Sequence, residues 1–351
     1  MAANGIEISA IGIDPADFDS ILDIRYNPSS GLPFSSSARV EYSELVGAPS
    51  SVIRVEDKVL LVCDIGVRSK TAAVILRAQG FPQTYSLAGG ADELLRLKAM
   101  SGPTGLSSGE AERYDRQIRL SGFGIEGQKR ILASRVTVVG AGGLGCPALS
   151  YLAAAGVGTI SVIDDDTVDM TNLQRQPLYG TQDVGALKVE VAARRLNALN
   201  PDVTISPIAL ALTTDNAKDL IAGSNVVIDA TDNFQARYAL NDATVELGLP
   251  LVYASVYAFE GQLAAFSAES GPCYRCLFPV DPSPDAALDC STVGVLGAVT
   301  GVLGSLQASA ALQIAGGVNH DLYGTLTMFD ARTGLFDRLQ VKKRDDCVSC
   351  G

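Results

Sequence analysis

The chain has 351 residues, 47% hydrophobic and 19% charged, enough apolar material for two packed domains and too much for global disorder. A net charge of −12 argues against nucleic acid or an anionic membrane as the main partner. The odd count of seven cysteines, with no basic-then-apolar stretch over Met1–Glu7, predicts a reducing, cytoplasmic setting with metal-binding or catalytic thiols.

Taken in chain order, Ser20–Asp23 and Val59–Val62 read as strands, the second apolar enough to lie inside a parallel sheet. Between that strand and a helix expected over Lys70–Gln79 lies Cys63-Asp-Ile-Gly-Val-Arg68-Ser69. A loop in that setting turns backbone N–H groups inward, and the helix N-terminus lowers a thiol's pKa. Met100–Glu112, rich in Gly, Ser and Pro, predicts a linker. The expected division is a first domain over 1–100, a linker over 101–112 and a second domain over 113–351.

The second domain opens with a helical stretch, Tyr114–Leu132, followed by the apolar strand Arg135–Val139 and the turn Gly140-Ala-Gly-Gly143-Leu-Gly145. A helix over Cys146–Ala155 and a strand over Thr159–Ile163 complete a βαβ unit. In that position the glycine turn offers backbone N–H groups and a helix N-terminus to a phosphate, and Asp164 could hold ribose hydroxyls. These features alone also suit an NAD-dependent oxidoreductase. Asn172-Leu173-Gln174-Arg175 and Lys188 add two cations that hydride transfer does not need, whereas attack on an ATP phosphorus does. Val226–Asp229 reads as a strand that delivers Asp232 and Asn233 to the sheet's carboxyl edge, where a carboxylate can hold Mg²⁺.

Ser291–Asn319 carries no charge, but its Gln, Ser, Thr and spaced Gly residues predict a buried helix and not a membrane span. Cys273-x-x-Cys276 and Cys347-x-x-Cys350 are two matched pairs, and two such turns complete a tetrahedral S₄ zinc site of the structural kind. A redox-active C-x-x-C is the alternative. His320 is the single histidine, so imidazole has little scope as a ligand.

The order R-Y-D-R-Q-I, G-A-G-G-L-G, D-D-D, N-L-Q-R-Q, G-x-x-K, D-A-T-D-N, C-Y-R-C and C-x-x-C resembles the MoeB/ThiF family of adenylating enzymes, bacterial relatives of ubiquitin-activating enzymes. The resemblance covers residues 113–351 and implies a Rossmann-like α/β domain with a mostly parallel sheet. It implies ATP-dependent adenylation of the C-terminal glycine of a small ubiquitin-like sulfur-carrier protein ending in Gly-Gly. Gly143, Asp164, Asn172, Leu173, Gln174, Arg175, Lys188, Asp232 and Asn233 fall at its ATP-binding positions, with Asp232 tied to Mg²⁺. Arg116 matches an arginine that reaches ATP from the neighbouring subunit of a homodimer, and the four paired cysteines match the zinc ligands. Cys290 matches a cysteine that in some relatives bonds covalently to the activated carrier or its sulfur. Retention of Arg116, Arg175, Lys188 and Asp232 speaks against a binding scaffold that docks the carrier without activating it.

The Cys63–Arg68 loop is similar to the active loop of rhodanese domains, whose cysteine carries a persulfide. Asp23-Ile-Arg25 and Leu87-Ala-Gly-Gly90 match further landmarks. Four residues separate Cys63 from Arg68, where cysteine phosphatases have five. The stretch Tyr26–Glu44, rich in Ser and Pro, departs from the pattern, lacking the family's usual acidic residue and the histidine-containing turn after the strand. This resemblance implies a small α/β sulfurtransferase domain in which Cys63 accepts sulfur from a persulfide or thiosulfate donor. An inactive relic kept for protein contact is the alternative.

Overall fold

The computed structural model describes residues 6–10, 12–26, 34–100, 105–281, 294–318 and 322–351, and the chain divides into two compact units, Met1–Ile125 and Glu126–Gly351. The first holds strands β1 (Glu7–Ile8), β2 (Ser20–Asp23), β3 (Ser37–Arg39), β4 (Val59–Val62) and β5 (Thr84–Leu87), in the order β1-β5-β4-β2-β3. Every pairing is parallel. The four-residue run Val-Leu-Leu-Val explains why β4 is central. Val59 and Leu61 enter one apolar cluster, with Leu45 and Leu76, and Leu60 and Val62 enter the other, with Leu87 and Ala91. The helices are α1 (Tyr42–Gly47), α2 (Val67–Ala78), α3 (Gly90–Met100), α4 (Ser108–Arg113) and α5 (Asp115–Ile118), followed by α6 (Gly124–Ala133).

Three sequence expectations shift here. The α2 helix begins at Val67, three residues earlier than its periodicity suggests, so its N-terminus lies directly on the cysteine loop. The Gly/Ser/Pro-rich stretch is not all irregular. Ser107 accepts from Glu110 N–H and Glu110 accepts from Ser107 N–H, a reciprocal cap that starts α4. The helical run Tyr114–Leu132 is broken, because Gly122 (φ +77°) and Gly124 (φ +62°) take the left-handed conformation between α5 and α6.

The second unit contains β6 (Arg135–Val139), β7 (Thr159–Ile163), β8 (Thr204–Ile208), β9 (Val226–Asp229), β10 (Leu251–Tyr257), β11 (Glu260–Phe266), β12 (Thr325–Asp330) and β13 (Leu335–Gln340). Their order is β13-β12-β11-β10-β9-β6-β7-β8, parallel from β8 to β10 and antiparallel from β10 to β13. The helices are α7 (Gly145–Ala155), α8 (Lys188–Leu199), α9 (Ala217–Ile221), α10 (Phe234–Leu247), α11 (Tyr274–Leu277) and α12 (Gly297–Gly316). The order reverses at β6, which pairs with β7 on one side and β9 on the other. The carboxyl ends of β6 and β9 therefore flank a crevice, the position where such sheets bind ligands.

By length and composition α12 is long and apolar enough to cross a membrane. It packs on α7 and on β9–β11, burying Val299, Leu303, Gln307 and Ala311. Gly304 permits that contact, since a Cβ there would meet the Leu144 carbonyl and Pro147.

Candidate functional site

After β6 the chain turns through Gly140–Gly145 into α7. Gly140 has φ +97°, and a Cβ there would strike the Ala230 carbonyl at the end of β9. A Cβ on Gly145 would overlap the Gly140 carbonyl, so these two glycines fix the turn against the sheet. Gly142 and Gly143 instead line a cavity of about 1010 Å³.

The same cavity is lined by Asp164, Asn172, Arg175, Lys188, Asp232 and Asn233. Asp164 accepts from Ala141 N–H through Oδ2 (2.7 Å) and from Asp166 N–H through Oδ1 (2.9 Å), which ties its carboxylate to the glycine turn. Burial pushes its pKa up, while Lys188 and these N–H groups oppose the shift. Lys188 opens α8, buried, with Nζ 2.7 Å from Asp166 Oδ2. Arg175 donates to the Thr171 carbonyl at 3.1 Å. Asn233 caps α10 by accepting from Ala236 N–H at 2.8 Å. Asp232, the residue before it, is exposed and makes no hydrogen bond or ion pair among the described residues. The site thus joins two cations and a glycine turn, suited to polyphosphate, to a carboxylate free to take a hard divalent cation. Leu173 and Gln174 fall outside the cavity lining, Gln174 packing its backbone against Gly297.

In the same unit, Cys273 precedes α11 and Cys276 lies within it, while Cys347 and Cys350 lie in the last residues of the sequence. The four sulfurs lie within 4.8 Å of one another. Cys273–Cys347 and Cys276–Cys350 separations are 3.6 and 3.5 Å, and none of the four forms a disulfide. Four thiolates around zinc at ~2.3 Å would sit about 3.8 Å apart, so this donor set fits a closed tetrahedral zinc site.

In the first unit Cys63 ends β4 with its thiol buried, and Sγ accepts from Ser69 N–H at 3.2 Å in the first turn of α2. Ser69 Oγ lies 3.3 Å from that sulfur and 2.8 Å from Ser86 Oγ. The first turn of α3 holds the loop's backbone: Ala91 N–H donates to Cys63 O and Asp92 N–H to Asp64 O. Arg25 and Asp23 form a buried ion pair at 2.7 Å beneath it. Arg68 does not point at the sulfur through any hydrogen bond among the described residues. Its guanidinium lies over the Tyr42 ring at 4.7 Å. Arg116 also belongs to this unit, exposed and 3.9 Å from Asp115. Cys290 and the polar loop around it lie outside the described residues.

Residues 114–349 match the model of the ThiF family. The chain belongs to the ThiF family. A relative from Thermus thermophilus, named sulfur carrier protein adenylyltransferase, is 47% identical over 247 residues, covering 69% of this chain and 91% of that one. A pig relative, named adenylyltransferase and sulfurtransferase MOCS3, is 46% identical over 261 residues, covering 74% of this chain but 57% of its own length. Among solved structures, Escherichia coli MccB with ATP shares the fold, with a TM-score of 0.61 and 22% identity, over 68% of this chain and 74% of that one.

In this ThiF-family chain one functional element escaped the sequence reading. Asp229, fully buried, accepts from Thr231 N–H and Oγ1 and from Arg237 Nε at 2.9 Å. Arg237 also donates to the Thr231 carbonyl and lies over the Tyr253 ring at 4.9 Å. This brace fixes the loop that presents Asp232, and its arginine lines the cavity. The spacing of Asp229 and Arg237, across a strand end and one helical turn, was the available signal.

Proposed function

We propose that this chain uses ATP to adenylate the C-terminal glycine of a small ubiquitin-like sulfur-carrier protein, and that Cys63 then delivers sulfur to it. The observation that carries the first step is the meeting of Arg175, Lys188 and Asp232 at the glycine turn of a ThiF-family chain. A carboxylate oxygen of the carrier attacks the α-phosphorus, and the bond to the bridging oxygen breaks as pyrophosphate leaves. Arg175 and Lys188 stabilise the charge that builds on the departing group. Asp232, without a protein partner, would hold Mg²⁺, which supplies further charge neutralisation at the phosphates.

The second step is supported by the buried Cys63 thiol at the N-terminus of α2 and by the name of the pig relative. The terminal sulfur of a Cys63 persulfide attacks the acyl carbon and AMP departs. A thiol then cleaves the S–S bond, releasing the carrier thiocarboxylate and leaving Cys63 in a disulfide. The sulfur enters from a persulfide or thiosulfate donor. Clustered unpaired thiols support a reducing, cytoplasmic setting, with zinc on the four paired cysteines.

The chain acts as a homodimer in which Arg116 reaches the partner's nucleotide; its exposure and weak pairing with Asp115 leave it available. Mixing Arg116→Ala and Asp232→Ala chains should then restore part of the activity, and no recovery after demonstrated subunit exchange would refute the shared site. Mass spectrometry of the carrier tests the two chemistries together. Wild-type protein should yield acyl-AMP and, with a sulfur donor, thiocarboxylate. Cys63→Ser should stop at acyl-AMP, and thiocarboxylate formation at the normal rate in that variant would remove Cys63 from the pathway.

A further inference from the structure

Two fully buried side-chain atoms among the described residues have no hydrogen-bond partner, Oε1 of Gln176 and Oε1 of Gln307. A sealed polar atom of this kind bears the cost of its lost hydration, so each calls for an explanation. Gln307 has one in its other end. Its Nε2 donates to the carbonyls of Asp229 (2.6 Å) and Val252 (3.2 Å), tying α12 to β9 and β10.

Gln176 has no such bond. The residue is 3% exposed and its side chain makes no hydrogen bond to a described residue, yet it lies on the wall of the nucleotide-sized cavity, one position after Arg175. Its backbone is held firmly, the N–H donating to Asn172 O at 3.0 Å and the carbonyl accepting from Tyr179 N–H at 3.1 Å. Tyr179 in turn donates to the Ala141 carbonyl at 2.7 Å, inside the glycine turn. Gln176 Nε2 is the nearest atom, at 3.6 Å, to the point where a side chain on Gly142 would begin. The bare Gly142 therefore leaves the amide uncovered on the side where phosphates meet the turn. Exchanging the two ends of the amide leaves the same situation, with one end sealed and partnerless and the other beside Gly142.

We propose that Gln176 is a further nucleotide-binding residue, its side-chain amide donating to a phosphate oxygen of ATP beside Gly142. The assignment rests on the adenylation proposed above. Backbone bonds hold the residue in place, and its Nε2 end gains a charged partner when the phosphates arrive, while the sealed oxygen stays unpartnered with or without nucleotide. Phosphate is the favoured contact because the neighbouring Arg175 and the glycine turn both serve anions, while Asp164 stands where ribose hydroxyls would bind.

Calorimetric titration of the full chain with ATP and with adenosine, alongside thermal unfolding without nucleotide, tests this role. Gln176→Met should bind ATP roughly tenfold more weakly, the loss of one hydrogen bond to a charged group. It should bind adenosine as the wild type does and unfold at no lower a temperature. Gln176→Glu keeps the shape and should weaken ATP further, since a carboxylate then faces the phosphates. A glutamine that only supports the fold would give the opposite pattern, a lower unfolding temperature and equal loss of both ligands. Wild-type ATP affinity in Gln176→Met, or an equal loss for adenosine, overturns the proposal. If the wild-type chain itself binds no ATP, the adenylation reading fails first and takes this role with it.

Discussion

Lys188 Nζ lies 2.7 Å from Asp166 Oδ2, yet the lysine side chain is only 6% exposed and the aspartate's is 67% exposed. The cation is fixed in the cavity wall, and its counter-ion is a solvated group that a phosphate can displace. Lys188→Met should therefore lower the rate of ATP–pyrophosphate exchange by roughly 10²–10³, as for other removed transition-state donors. Asp166→Asn should leave the rate within a few-fold and lower the KM for ATP, because one competitor for the ammonium is gone. Steady-state exchange kinetics measure both, and a catalytic collapse in Asp166→Asn would show that the pair is structural.

Asp164 has its pKa raised by burial above the ordinary 3.8, against the pull of Lys188 and two N–H groups. A raised folded-state pKa gives stability that is fully present below the unfolded value and is lost as pH rises through the folded one. The stability of the wild type relative to Asp164→Asn should therefore grow as pH falls toward 3.8. Denaturant unfolding across that range reads the difference directly. A difference independent of pH would mean that Asp164 titrates as a solvated carboxylate.

The strands that carry the cavity were legible because each is a short apolar run ended by glycine or acid, as at Val136–Gly140 and Val226–Asp229. The glycine turn and Asp164 were legible from the spacing of a βαβ unit, and Arg175, Lys188 and Asp232 as charged residues in polar segments and at a strand end beyond it, with the family resemblance giving their roles. Arg237 and Gln176 were not. Their roles depend on partners brought near by folding: Asp229 and Tyr253 for one, and the bare Gly142 for the other. The break at Gly122–Gly124 was hidden because flanking apolar residues keep a helical period across it.

The four clustered sulfurs predict one zinc per chain. Metal analysis of purified protein should find it, and Cys276→Ser should lose it and lower the unfolding midpoint by on the order of 10 °C. Unchanged unfolding in a zinc-free preparation would reassign the cluster.

Gly90 has φ +64°, and a Cβ there would collide with the carbonyl oxygens of Cys63 and Asp64. Gly90→Ala should therefore distort the thiol loop, reducing persulfide loading of Cys63 at least tenfold while leaving pyrophosphate exchange intact. Thiol-selective labelling with mass detection separates the two activities. Normal loading would show that the loop tolerates the displacement.

Carrier-dependent exchange of labelled pyrophosphate into ATP tests adenylation most directly, because it needs only the attack on the α-phosphorus and its reversal. The wild type should exchange only when a carrier ending in Gly-Gly is present, Cys63→Ser should exchange fully, and Asp232→Ala, whose Mg²⁺ ligand is gone, almost not at all. Robust exchange by Asp232→Ala, or none by the wild type with any such carrier, would contradict the proposed adenylation.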